Sequence, residues 1–378
     1  MAETPTPLSP HPPVPAPEHP DEDDEAPPYR YVDAAALHTF VAAVLRGNGT
    51  PAASADLVAQ CLVAADLRGV DSHGANRLPS YVARVRAGVL DAAATPEVTK
   101  VAGAVALVDG RNGFGAVAAA AGIDAACEMA RELGVGLAGV RRSNHFGMSA
   151  WTVQRAVDAG FAALVFTNSS PALPPYGGRA RLLGVSPIAC GAPGGAADRP
   201  FVLDMAPSVA ARGKIHKAKR RGEKIPLDWA LDADGRPTDD PAAALDGVML
   251  PMGGPKGSGL AIMMDVFSGV LTGSAFGGDV TGPYDASRPS DVGHFLVALK
   301  PDLFVSGAEF RARMAALHAR VVGAERAPGV DRIYFPGEIE QLTRDARARA
   351  GIPLAPAEVD ALNDEARRVG CPLLVLNG

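Results

Sequence analysis

From Val32 to Ala65 the apolar positions recur at helical spacing: Leu37, Phe40, Val41, Val44 and Leu45, then Leu57, Val58, Leu62 and Val63. The pattern predicts two helices flanking Gly47-Asn48-Gly49-Thr50-Pro51, with Thr50 as N-cap and Pro51 as the first helical residue of the second. Pro79 is barred from a helix interior, so a third helix is predicted from near Leu78 to Ala87, ended by Gly88. Residues 73–77 then fall in the turn ahead of it, where the helix dipole favours an anion.

After Pro96 the pattern changes to short apolar runs. Ala104–Asp109, Val135–Val140, Ala162–Thr167, Phe201–Asp204 and Phe295–Leu299 read as buried strands, and Ala116–Leu133 and Ser258–Leu271 as helices between them. Gly/Pro-rich connectors between 168 and 200 are predicted to line a site. Helical spacing returns at Ser306–Val322, Leu342–Ala350 and Ala355–Val369. The expected fold is α/β with a helical layer contributed by both ends of the chain. Its divisions are a tail at 1–28, helical parts at 29–100 and 301–378, and an α/β unit at 101–300.

The chain has 378 residues, 47% of them hydrophobic, and can bury a core of ordinary size. A net charge of −6 does not favour nucleic acid or an anionic membrane. The basic run Lys214–Arg221 is the exception and is expected to be a solvated loop, with a cofactor phosphate as the sharper alternative. Cys61, Cys127, Cys190 and Cys371 show no CxxC pairing, which excludes zinc ribbons and thioredoxin-like sites and suits a reducing cytosol. No stretch is apolar for long enough to span a bilayer. Residues 1–28 carry ten prolines and an acidic run and read as a solvated tail, not a signal peptide, so His11 and His19 are poor site candidates.

The densest chemistry is Asp71-Ser72-His73-Gly74-Ala75-Asn76-Arg77, followed by Tyr81. His73 titrates near neutrality and Arg77 offers a planar fork that matches a carboxylate. His145, in Ser143-Asn144-His145-Phe146-Gly147, follows a strand end, where α/β folds place ligands. Asp204 ends another strand and reads either as N-cap of the next helix or as a carboxylate orienting an imidazole. Gly113-Phe114-Gly115-Ala116-Val117-Ala118 matches a loose dinucleotide fingerprint. Asp109–Asn112 inserts a long turn before it and no acid ends a second strand, so a structural turn is preferred. Gly253–Gly259 fails the Walker order, although Lys256 and backbone amides there suit a phosphate. Gly184-Val185-Ser186-Pro187-Ile188 is no nucleophile elbow, and neither HExxH nor a clustered His/Cys set is present, so no metal site is expected.

Taken in order, DSHGANRLPSYV, DGRNGFG, RRSNHFGMSAW, TNSSP, FVLDMAPS, IPLDWALDADGRPTDDP, MGGPKGSGLA and YFPGE resemble the type-2 malate/L-lactate dehydrogenase family from about Tyr31 to Gly378. That family includes ureidoglycolate and sulfolactate dehydrogenases and diketogulonate and cyclic-imine carboxylate reductases. The resemblance implies a non-Rossmann, mixed and largely antiparallel sheet with helices, NAD or NADP as cofactor, and a homodimer. It implies His73 and His145 as acid–base candidates with Asp204 beside them, and Ser72, Arg77 and Tyr81 on the substrate. Asn144, Ser169, Leu203, Asp204, Met205, Lys256, Gly257, Pro336, Gly337 and Glu338 are implied at the nucleotide. The expected activity is interconversion of a small 2-hydroxy acid and its 2-oxo acid. The alternatives are cyclic-imine carboxylate reduction, a non-catalytic scaffold recruiting partners through the tail, or a His/Asp hydrolase.

Overall fold

The computed structural model describes residues 29–195 and 199–377. The tail at 1–28, with His11 and His19, lies outside the described residues.

Asp33 opens the first helix, Ala34–Gly47, by accepting from the backbone N–H groups of Ala35 and Ala36 at 2.8 and 3.1 Å. The second helix, Ala52–Leu67, starts one residue later than expected. Pro51, in extended backbone, takes the N-cap position and Thr50 is no cap: its hydroxyl is buried and unpartnered. The third helix spans Leu78–Arg86, and Gly88 follows with φ +73°. At the far end of the chain lie helices Glu338–Ala350 and Pro356–Arg368. The ends are stitched together by antiparallel pairing of Arg30–Val32 with Ile352–Leu354 and by the bidentate Arg86–Glu365 pair. One core, running from Val32 to Ala92 and from Ile352 to Leu374, therefore draws on both termini, as the periodicity implied.

The central sheet has seven strands, in the order Glu97–Ala102, Val105–Asp109, Val135–Ser143, Val292–Leu299, Ala162–Thr167, Ile188–Ala192, Phe201–Met205. Only Val105–Asp109 and Val135–Ser143 pair in parallel, across the helix Gly115–Leu133; every other neighbour is antiparallel. This is a mixed, non-Rossmann sheet. Glu97–Ala102 is exposed throughout and has no apolar alternation to mark it, so the pattern missed it, and the division at 100/101 falls inside it. Ile188–Ala192 was hidden in the glycine- and proline-rich connectors.

A separate, smaller core gathers Leu173, Leu183, Ile215, Ala218 and Met249. The basic run lies in a helix, Arg212–Arg221, and not in the expected loop, because Ile215 and Ala218 bury one helical stripe in that core. The expected helix 258–271 is Pro255–Asp265 followed by a π-helical turn, Val266–Val270. Gly293 packs closely on that turn: a Cβ there would overlap the Ser268 carbonyl.

Candidate active site

The turn Asp71–Arg77 folds as two 3-10 turns, Asp71–His73 and Ala75–Arg77, directly ahead of the third helix. The buried carboxylate of Asp66 accepts from Ala75 N at 2.8 Å, and a Cβ on Gly74 would overlap that carboxylate, so the turn needs glycine there. Arg347 pairs with Asp71 and donates to Asp66 O at 2.5 Å, tying the turn to the helix Glu338–Ala350. Within the turn, Arg77 Nε donates to Ser72 O at 2.6 Å and Ser72 Oγ lies 2.9 Å from His73 Nδ1.

His145 follows the strand Val135–Ser143 and stacks on His73, ring centroids 5.4 Å apart. Two residues 72 positions apart in sequence thus face each other beside Arg77. His145 Nδ1 receives Gly147 N–H at 3.3 Å and lies 2.6 Å from Tyr81 Oη. Because Gly147 can only donate, Nδ1 is an acceptor, Tyr81 donates to it, and the ring proton sits on Nε2. His73 engages its Nδ1 with a hydroxyl that can rotate, which leaves Nε2 for a substrate.

Both imidazoles are held neutral. Burial, then the Arg77 charge, lowers the His73 pKa from 6.5 to about 4. Burial pushes His145 well below its usual range, with His73, Arg77 and His294 adding to the effect. Tyr81 is raised, chiefly by burial, and keeps its proton.

The glycine-rich segment after Val105–Asp109 serves this site by close approach. A Cβ on Gly115 would overlap the carbonyls of Asn144 and His145. Arg111 and Asn112 hold φ of +49° and +59°, and Asn112 O and Oδ1 each accept from Asn144 Nδ2 at 3.2 Å. That amide also donates to Gly113 O at 2.8 Å and accepts from Arg84 at 3.3 Å, so Asn144 is saturated inside the protein and its side chain positions His145. The dinucleotide-like pattern forms a turn packed on the His145 loop.

The residues implied at the nucleotide surround the edge strand Phe201–Met205, which carries Leu203, Asp204 and Met205. Pro336 O accepts from Val202 N at 3.2 Å and Gly337 packs on Val202. Glu338 is buried and pairs with Arg199 at 2.5 Å and with Arg332. Beyond Met205, Gly257 packs against the carbonyls of Pro207 and Met252, with the exposed Lys256 at the start of the helix Pro255–Asp265. Ser169 lies beyond the end of Ala162–Thr167; its hydroxyl and that of Ser186 are buried without a partner, and both crowd Gly184. Buried hydroxyls without a partner and an exposed lysine are groups that suit a polar, anionic ligand.

Asp204 departs from expectation. Its Oδ2 accepts from Ala150 N at 2.7 Å, so it caps the helix Ser149–Asp158 and not the segment that follows it. Among the described residues no hydrogen bond links it to an imidazole. Burial raises its pKa from 3.8 to about 6, against the lowering bond from Ala150 and the charge of Arg68.

Three residues escaped the sequence reading. His294 is fully buried between Thr167 Oγ1 at 2.7 Å and Ser143 Oγ at 2.8 Å, and it stacks on Phe146 at 4.5 Å, backing the His145 loop. Burial lowers its pKa to about 3. Arg84 and Tyr284 bracket the turn from the other side. The signal for Arg84 was present: Arg77, Tyr81 and Arg84 share one helical stripe.

The family described as malate/L-lactate dehydrogenase matches residues 32–363. A malate dehydrogenase of Pyrococcus abyssi is 37% identical over 342 residues, 88% of this chain and 93% of the relative. An L-sulfolactate dehydrogenase of Methanothermobacter thermautotrophicus is 38% identical over 312 residues, 82% and 89% of the two chains. The solved sulfolactate dehydrogenase of Methanocaldococcus jannaschii superposes with a TM-score of 0.86 at 33% identity, covering 91% of this chain and 98% of that one. Other relatives are named as an NADP(+)-dependent (2R)-3-sulfolactate dehydrogenase of Chromohalobacter salexigens, an NAD(+)-dependent ureidoglycolate dehydrogenase of Escherichia coli, and a delta1-piperideine-2-carboxylate reductase of Pseudomonas syringae.

Proposed function

This chain belongs to the malate/L-lactate dehydrogenase family, and from that premise we propose that it interconverts a small 2-hydroxy acid and its 2-oxo acid. The observation that carries the reading is the stacked, neutral His73–His145 pair beside Arg77. Arg77 takes the substrate carboxylate on its free Nη edge and so orients C2. His73 Nε2 accepts the C2 hydroxyl proton in oxidation and returns it in reduction, while the Nε2–H of His145 steadies the same oxygen. Tyr81 and Gly147 hold His145 in the tautomer that makes this possible.

NAD or NADP, bound along Ser169, Leu203–Met205, Lys256-Gly257 and Pro336–Glu338, supplies hydride exchange at C2. Relatives named for each nucleotide support either choice. Asn144 joins this set only by positioning. We also divide the chain into a helical unit from 29–100 and 301–378 and a nucleotide-binding unit over 101–300.

No helix among the described residues is long and apolar enough to cross a membrane. Free cysteines support a place in a reducing cytosol. A homodimer is supported by Ile262, Val266, Val270, Leu271 and Phe276, which expose 45–63% of their surface around the helix Pro255–Asp265 and the turn after it.

A panel of 2-oxo acids and cyclic imine carboxylates, with NADH or NADPH consumption followed by absorbance, tests the activity. The expected result is turnover of at least one 2-oxo acid. Turnover of imines alone selects the second reading, which the piperideine-carboxylate reductase relative favours. Turnover of neither sinks both.

A further inference from the structure

Arg84 is an arginine without a carboxylate on any of its hydrogen bonds. Its side chain is 2% exposed, and its donors go to Asn144 Oδ1 at 3.3 Å and to the carbonyls of Gly282 at 3.4 Å, Arg288 at 3.2 Å and Asp285. A guanidinium buried on carbonyls alone is a poor source of stability, because desolvation offsets much of what those bonds return. What it does is geometric. It joins the helix bearing Tyr81 to the amide ahead of His145 and to the loop between Gly277 and Asp291.

That loop is closed on itself. Thr281 N donates to Ser290 O at 3.3 Å, Ser287 N to Asp285 Oδ1 at 2.8 Å, and Arg288 to Asp279 O at 3.1 Å. Its tip carries Tyr284, whose ring lies under the Arg77 guanidinium with Cζ 4.8 Å from the centroid. Tyr284 is 72% exposed and belongs to no core, so this contact is what the side chain is placed for.

We propose that Tyr284 is a positioning residue for the substrate's carboxylate clamp, with Arg84 stapling its loop over the site. The reading rests on Arg77 being that clamp. Ser72 O holds Nε and the Tyr284 ring covers one face of the guanidinium, so the plane of the fork is fixed and only its Nη edge faces an incoming carboxylate. A fork held in plane loses less freedom when a carboxylate binds it. The aromatic ring, not the phenol hydroxyl, is the working part.

The test is steady-state kinetics with the accepted 2-oxo acid, together with calorimetric titration of oxamate, a 2-oxo acid isostere, into the full chain saturated with reduced cofactor. In Tyr284→Ala, KM and the oxamate Kd rise about threefold to fivefold, in the range an exposed cation–π contact supports, while kcat and cofactor affinity change far less. Tyr284→Phe restores most of the loss, because the ring is kept. Arg84→Met, if it folds by thermal melt, moves KM in the same direction as Tyr284→Ala. KM and Kd within twofold of wild type in Tyr284→Ala overturn the proposal, and so does a Tyr284→Phe variant as weak as Tyr284→Ala. A wild type that turns over no 2-oxo acid yet binds oxamate defeats the functional reading alone, and the Tyr284→Ala titration still decides this one. A wild type that neither turns over a 2-oxo acid nor binds oxamate defeats both.

Discussion

Around the turn Asp71–Arg77, the side chains of Ser72, His73, Arg77, Tyr81 and His145 each hydrogen-bond within the protein. Along the edge strand Phe201–Met205 the arrangement differs: the hydroxyls of Ser169 and Ser186 are buried with no partner, and Lys256 stands exposed. The first region is pre-organised for proton transfer before any ligand arrives. The second keeps donors in reserve, and buried unpaired donors are tolerated where a ligand satisfies them. The proposed proton-handling side is therefore internally bonded, and the proposed nucleotide side is not fully so.

The largest effects belong to the organised half. His73→Ala should lower kcat by roughly 10²- to 10⁴-fold, the usual weight of a positioned acid–base group, with KM little changed. Arg77→Ala should raise KM steeply and lower kcat too, because orientation is lost together with binding. Steady-state kinetics on both variants check this, and wild-type turnover in either breaks the assignment. An intermediate effect should mark the other half: Ser169→Ala weakens cofactor binding by roughly tenfold, the weight of one hydrogen bond, and leaves oxamate binding alone. Cofactor titration by fluorescence reads it, and a change confined to oxamate would reverse the roles of the two regions.

The smallest and most diagnostic effect is in pH. Burial holds His73 at about 4 in the free protein, so kcat/KM for oxidation stays level from neutrality downward and falls only as pH approaches 4. Stability follows the same sign. With a folded value near 4 and an unfolded one near 6.5, the unfolded chain takes the proton first, so stability drops as pH falls between those limits. His294, at about 3, adds to that loss over an overlapping window. A kcat/KM limb near 6.5 would show that the imidazole read by the rate is not lowered by burial.

Much of the acid–base half was legible because it is local. Pro79 fixes the start of the third helix, and the turn before it holds Ser72, His73 and Arg77 within six residues. The nucleotide half was legible only through resemblance, since its segments are scattered from Ser169 to Glu338 and none is distinctive alone. Asp204 shows the limit well: a capping carboxylate was foreseen, but the helix it caps lies more than fifty residues upstream. Tyr284 was invisible for the same reason, and although helical spacing sets Arg84 on the stripe of Arg77 and Tyr81, its bond to Asn144 was made only by folding.

The sequence by itself determined the helical layer from both ends, the α/β texture of the middle, and the pre-helix turn that carries His73 and Arg77. Periodicity, proline sterics and turn chemistry act within a few residues and can be read there. Tertiary structure alone decided that His145 stacks on His73, that Tyr81 sets its tautomer, and that Tyr284 lies against the Arg77 guanidinium. Those pairings depend on sheet register and on how two cores pack, and contacts between distant residues are set only when the whole chain closes.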